Sequence, residues 1–400
     1  MIVDQGLAVG SHTTEVHQMR VSEIKSIAEF DQLKANWDHV YSADPHAHLF
    51  LSWLWLRGWF EIAPYQWSVL ALRPDDASEY VAFMPLITRG PKLLGFRPIQ
   101  LIAMGGQPLA SYTGFACLPE YEEEALAALA DHIQRQPSWD RFEMEEVMDP
   151  RLDLFLDCFP GEDYDIQRSH GMPTLYIPLP DDWNTYLQTF MGSKGRRNMR
   201  RSLRQVEEHN GYQMTFTQED SLERDIEILL TFWQWRWGFK PIAQWRRDTM
   251  RFFFENRRLW LATLWDSERP VAALAALTDE VKKTFYPYIV GHDPAYAKLS
   301  PGKLMLGYSI QDAIKNQFQV YDFLTGVDEY KFSFGPKRRN TTNIIISRKR
   351  PKSVAANGVT DIVERTRNEM IKILGNVKRA GIVKRLWFWY QANIKSYYSG

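Results

Sequence analysis

The chain has 400 residues, 45% hydrophobic and 14% aromatic, which is enough for one large core or two smaller ones. Its 48 Lys and Arg against 49 Asp and Glu leave a formal net charge of −1, which excludes a globally basic nucleic-acid binder. Its two cysteines, Cys117 and Cys158, form no CxxC pair and its nine histidines no ligand spacing, so neither a disulfide framework nor a metal site is expected.

Residues 1–20 include Asp4 and no basic segment ahead of an apolar run, so a mobile arm is expected and not a signal peptide. No run of eighteen apolar residues occurs, and the expectation is a cytoplasmic chain with no membrane span. A first α/β unit is expected over 21–171. Its helices are read at 31–40, 52–62 and 121–134, and its strands at 66–72, 80–88, 97–103 and 141–146. Trp53, Trp55 and Trp59 mark one amphipathic helix and read as packing. Gly105, Gly106 and Gly114 punctuate the loops; Gly105, Gly106 and Tyr112 could shape a cleft between units.

A second unit is expected over 172–350. Helices are read at 182–190, 195–210, 222–235 and 300–316. Strands are read at 213–217, 259–265, 271–278, 284–290, 320–324 and 343–347. Both units show leading helices, consecutive strands, a helix and a returning strand, a duplication of pattern and not of residues. The fold class is therefore α/β with an α+β mixed sheet. Residues 351–400 differ: between Lys352 and Lys395 nine Lys or Arg face three Asp or Glu, with apolar residues at helical spacing. A basic amphipathic helix of this kind either docks its apolar face on the second unit or makes peripheral contact with an anionic membrane.

Two segments carry candidate chemistry. The helix near residue 300 opens Ser300-Pro301-Gly302-Lys303-Leu304. Unpaired N–H groups at such an opening suit a diphosphate: Gly302 permits close approach, Ser300 can cap and Lys303 adds charge. An ordinary N-capped helix reads the same way. The helix after Ser193 carries Lys194, Arg196, Arg197, Arg200, Arg201 and Arg204 in two adjacent rows. Forked guanidinium groups suit a diphosphate or polyanion, and a solvated face balanced by Glu207 and Glu208 is the alternative.

Five stretches, His48–Phe60, Ala82–Leu86, Ser193–Gly211, Tyr296–Ser309 and Tyr321–Phe334, resemble the acetyltransferase family first associated with cellulose biosynthesis. That family lies within the GNAT superfamily, and its relatives include the Fem-type peptidoglycan aminoacyltransferases. The last three stretches are the specific ones, and together the five span about Val21–Arg350. The resemblance implies tandem GNAT-like domains, the second holding acetyl-CoA or another acyl-CoA at Ser300, Pro301, Gly302, Lys303 and Leu304. It implies acyl transfer, without a metal, to an amine or hydroxyl of a sugar or cell-envelope precursor. The general GNAT loop has Arg or Gln, two residues, Gly, one residue, then Gly or Ala; here only Gly302 fits a glycine position. Because Fem-type relatives use aminoacyl-tRNA, transfer to a peptidoglycan precursor is one alternative. A non-catalytic accessory of exopolysaccharide synthesis is another.

The resemblance also implies roles for individual residues. The basic helix helps hold a nucleotide-sugar diphosphate in Fem-type relatives, which implies Lys194, Arg197 and Arg200 as acceptor-binding residues. Direct transfer needs a base, oxyanion donors and an acid. Asp328 or Glu329 is the candidate base, Tyr330 the acid, and Lys331 the stabiliser of negative charge; a structural ion pair between Asp322 and Lys331 is the alternative. Tyr286 and Tyr288, two apart on a strand, share a face and are candidates to line the acceptor tunnel. His292 reads as part of a turn.

Overall fold

The computed structural model describes residues 18–349 except 64, 76, 95–96, 209–210 and 239–240. The expected N-terminal arm, apart from residues 18–20, and the expected basic helix over 351–400 lie outside the described residues.

The first half runs β1 (Met19–Ile24), α1 (Ile27–Gln32), α2 (Lys34–Ala43), α3 (Trp53–Ile62), β2 (Gln66–Pro74), β3 (Ala82–Leu94) and β4 (Arg97–Met104). It continues through β5 (Ala116–Cys117), α4 (Glu122–Arg135), β6 (Arg141–Val147), α5 (Leu152–Asp157) and the long β7 (Tyr164–Pro178). The second half runs α6 (Trp183–Phe190), α7 (Ser193–Glu208), β8 (Tyr212–Phe216), α8 (Leu222–Trp237), α9 (Pro241–Glu255), β9 (Leu259–Asp266) and β10 (Arg269–Asp279). It ends with β11 (Thr284–His292), α10 (Pro301–Lys315), β12 (Val320–Thr325) and β13 (Lys337–Arg348).

Local chemistry accounts for many of these boundaries. Ser26 and Glu29 form a capping box on α1, Ser52 caps α3, and Asp182 accepts from Asn184 and Thr185 at the start of α6. Gly238, at φ 67°, ends α8 in the left-handed conformation. In α4, Ala125, Leu126, Leu129, Ala130 and Ile133 form one buried stripe under an acidic first turn. Trp55 and Trp59 are core residues, and Trp53 stacks on Phe30, so the tryptophans of α3 pack as expected.

All strands join one mixed sheet, ordered β1-β2-β3-β4-β6-β13-β7-β12-β11-β10-β9-β8, with β5 on β3. The pattern duplication has a physical counterpart here. Each half builds antiparallel strands and then one parallel pair, β4 with β6 and β11 with β12, each pair linked through a helix. The last strand of each half then crosses over: β7 pairs with β12, and β13 pairs with β6 as well as β7. The expected unit boundary at 171–172 therefore falls inside β7, and the crossing strands leave no sheet edge at the centre.

Among the elements missing from the sequence reading are β1, β5, α5, β7 and α9. Gly171 and Pro173 interrupt the strand pattern of β7. Gly171 is required because a Cβ there would collide with Thr341 Oγ1 on β13. In α9, three arginines and a tryptophan obscure the buried Ala243, Met250 and Phe253.

The sheet carries helices on both faces. Along β10, Ala272, Leu274 and Ala276 face the core under α6, α7 and α10, while Ala273 and Ala275 face the core under α8 and α9. A third core joins the halves, with Phe253, Leu277, Tyr286 and Leu324 packed among first-half residues such as Phe50, Trp55 and Tyr112.

Candidate active site

The feature that organises the site is a gap in the sheet. β11 and β12 pair only at Thr284 with Val320 and Phe285 with Tyr321. Beyond that point β11 runs on to His292 beside β10 alone, and β12 turns to β7. Two irregularities drive the divergence. β11 bulges at Tyr288, where its register with β10 slips between Ala275 and Ala276. β12 loses register with β7 between Asp322 and Thr325, and Leu324 there has φ 63°. A left-handed leucine costs about 1–2 kcal/mol, the kind of strain found where a chain is held for function.

α10 starts below the mouth of this gap. Ser300 was expected to cap it, but Ser300 has φ 53° and makes no side-chain cap bond; Asp293 instead caps the preceding turn by accepting from Ala295 N. The amides here are fewer than expected. Ser300 N donates to Ala297 O, Pro301 has no N–H, and the amides of Lys303 and Leu304 both donate to Ser300 O. Gly302 is the member of the set without such a partner. A Cβ on Gly302 would meet only His292 Nδ1, at 3.6 Å, so the approach to its backbone is open. Pro301 and Leu304 are buried, whereas Lys303 is exposed. Leu304 belongs to the core, so its expected place in a donor site reduces to its backbone.

Beyond β12 lies the short turn of Asp328 to Phe334. Lys331, expected to stabilise an oxyanion, is 6% exposed; its Nζ donates to Phe323 O at 3.1 Å and Gly326 O at 2.9 Å, with Asp328 at 3.6 Å. It is a lock on the turn, because no ordinary donor could satisfy two buried carbonyls at the end of a bulged strand. Tyr330 sits beside it, with its hydroxyl pushed up to about 12 by burial and by the Asp328 charge. Asp328 is partly buried and Glu329 exposed. The guanidinium of Arg236, on α8, lies 5.9 Å from the Tyr330 ring centroid. Arg236 also lowers the affinity of half-buried His292 for a proton, after burial as the first cause. Neither Arg236 nor a site role for His292 was read from the sequence, because α8 and β11 meet only in the fold.

Asp322 does not pair with Lys331. It is buried, accepts from Tyr112 Oη at 2.8 Å and from Leu324 N at 2.8 Å, and is ion-paired with Arg339 of β13. Arg339 also donates to Thr174 and lies over the Tyr112 and Tyr176 rings. Tyr112, first read as a cleft residue, thus bonds across the junction to the end of the bulged strand. Tyr41 with Asp279, and Lys282 Nζ with the carbonyls of Ser42 and Asp44, add further links between the halves. Next to Tyr112 is buried His48, whose ring nitrogens have no hydrogen-bond partner and whose pKa burial lowers to about 3.

The remaining expected residues divide. Tyr286 is 3% exposed in the joint core against Phe50, so it lines no tunnel. Because of the bulge, Tyr288 does not follow simple alternation; its ring meets Arg246 of α9 at 4.9 Å. Lys194, Arg197 and Arg200 are exposed on α7 and form no ion pair among the described residues. α7 packs on α10 through Met199 and Gly307, on the face opposite α8 and α9. The basic rows therefore sit on the helix that packs on the α10 side of the sheet. Among the described residues no group of His, Cys, Asp or Glu could hold a metal, and no helix is long and apolar enough to cross a membrane.

Residues 193–332 match the family model described as acetyltransferase (GNAT) domain. The whole chain is similar in fold to the crystal structure of FemX, at 12% identity and TM-score 0.56, covering 81% of this chain and 96% of that one. It is also similar to a conserved protein of unknown function from Bacteroides thetaiotaomicron VPI-5482, at 14% identity and TM-score 0.53, covering 82% and 100%. No curated protein matches the chain. The gap, the helix start and Tyr330 all fall within the segment that matches the GNAT acetyltransferase model, in a chain similar in fold to FemX.

Proposed function

We propose that the protein is an acyl-CoA-dependent acyltransferase. It delivers an acyl group, acetyl foremost, to an amine or hydroxyl of a sugar or cell-envelope precursor such as an exopolysaccharide intermediate. The observation that carries this reading is the parallel pair that opens beyond Phe285 and Tyr321. A strand released from its neighbour offers backbone donors to an acyl carbonyl, and α10 starts below it with an accessible Gly302 backbone.

The chemistry follows from the groups at the mouth. The acceptor's lone pair forms the new bond to the carbonyl carbon as the carbon–sulfur bond breaks. The acceptor's proton passes to a carboxylate, a role assigned to Asp328 or Glu329, and the departing thiolate takes the proton of Tyr330. Held near 12, that hydroxyl is fully protonated at neutral pH. Lys331 positions Tyr330 and is not itself a catalytic group. Direct attack is favoured over a thioester enzyme because burial pushes the Cys117 thiol up to about 12 and raises Cys158 as well.

Calorimetry with acetyl-CoA tests the reading on the native chain and on Gly302→Glu. The added Cβ meets only His292 Nδ1, in ordinary contact, and the carboxylate would oppose the diphosphate. Native binding and at least a tenfold loss in the variant are expected. If neither protein binds any acyl-CoA, the donor assignment is wrong.

A further inference from the structure

Among the arginines of α8 and α9, Arg247 and Arg251 are held by carboxylates and, among the described residues, Arg246 is not. Arg247 pairs with Glu227 and Glu223, and Arg251 with Glu223 and Asp248. Arg236 covers Tyr330. Arg246 instead lies between the rings of Trp233 and Tyr288, 4.9 Å from each centroid, and its buried Nε has no hydrogen-bond partner. Rings on either side attract a guanidinium through their π faces but accept none of its in-plane N–H groups. An unpaired buried N–H is costly, so an acceptor bound at this guanidinium would be favoured.

Its position gives that site a role. Tyr288 is the extra residue of the β11 bulge, on the stretch of β11 released from β12. Trp233 lies one turn before Arg236 on α8. Trp233, Arg246 and Tyr288 thus cluster on the α8–α9 side of the sheet, and Arg236 of the same helix α8 reaches the Tyr330 ring, which packs on the α10 side. We propose that Arg246 binds an oxyanion, a carboxylate or phosphate, carried by the acceptor, so that the acceptor is an acid and not a neutral or cationic molecule. The assignment of this anion to the acceptor rests on the acyl-transfer reading; the anion site itself does not.

The test uses the full chain with two probes, trifluoroacetate followed by fluorine NMR and inorganic phosphate followed by phosphorus NMR. It compares native protein with Arg246→Met, Arg246→Lys and the surface control Arg135→Met on α4. Expected is a saturable broadening of at least one probe, weakened about tenfold or more by Arg246→Met, partly kept by Arg246→Lys and unchanged by Arg135→Met. Broadening of phosphate alone assigns a phosphorylated acceptor, and of trifluoroacetate alone a carboxylate. No saturable broadening in the native protein, or equal broadening in Arg246→Met, overturns the proposal. Acetyl-CoA calorimetry on the same samples separates the two ideas: anion binding without acyl-CoA binding removes the acyl-transfer reading and leaves the anion site.

Discussion

Replacing Lys331 with methionine separates a catalytic ammonium from a structural one. Methionine keeps most of the stem and volume but removes the charge. The native ammonium donates to Phe323 O at 3.1 Å and Gly326 O at 2.9 Å, and stands 3.6 Å from Asp328. A hydrogen bond from a charged donor contributes about 1.5–3 kcal/mol, so two such bonds set a gross loss of roughly 3–6 kcal/mol. Against this, the variant no longer buries a charge, which returns part of a desolvation penalty of several kcal/mol. The carbonyls decide the balance: they stay buried at the end of a bulged strand and have no substitute donor. A net loss of about 2–3 kcal/mol is expected in urea unfolding, accompanied by loss of acyl transfer as Tyr330 loses its place. A variant as stable as the native chain, with turnover down a thousandfold, would refute the lock and restore Lys331 as an oxyanion ligand.

Two further predictions concern pH. Tyr330→Phe should slow acyl transfer about a hundredfold or more, and the native rate should show no Tyr330 limb below pH 10, because the hydroxyl titrates only near 12; a tyrosine limb at pH 8–9 that vanishes in Tyr330→Phe would contradict the acid role as described. His48 is neutral in the fold, its pKa lowered from 6.5 to about 3 by burial. The unfolded chain therefore binds more protons between these values, and stability present above pH 6.5 is lost as pH falls toward 3, at most roughly 4–5 kcal/mol. His48→Phe removes the titrating ring and should flatten the urea midpoint between pH 7.5 and 5; an unchanged slope would place the acid sensitivity elsewhere.

Much of the local structure was legible from residue order. The strand, loop, helix and strand over 284–325 follow from apolar runs, a Gly-Pro turn and a periodic helix, and they carry the gap. The basic rows of α7 are visible as spacing, as are the helix starts at 52 and 182. Partners were less legible than elements. Lys331 reads as a free cation until its carbonyls are seen, and Tyr286 as a tunnel residue until Phe50 is seen against it.

What the residues determined by themselves is therefore periodicity, end chemistry and the identity of groups able to react, because those depend on neighbours within a few positions. Tertiary structure alone decided that Asp322 meets Tyr112 from 210 residues away and that β7 and β13 exchange between halves. It alone set Arg246 between Trp233 and Tyr288. The reason is physical: a buried donor or charge is satisfied by whichever group packing brings within about 3 Å, and no local pattern encodes that distance.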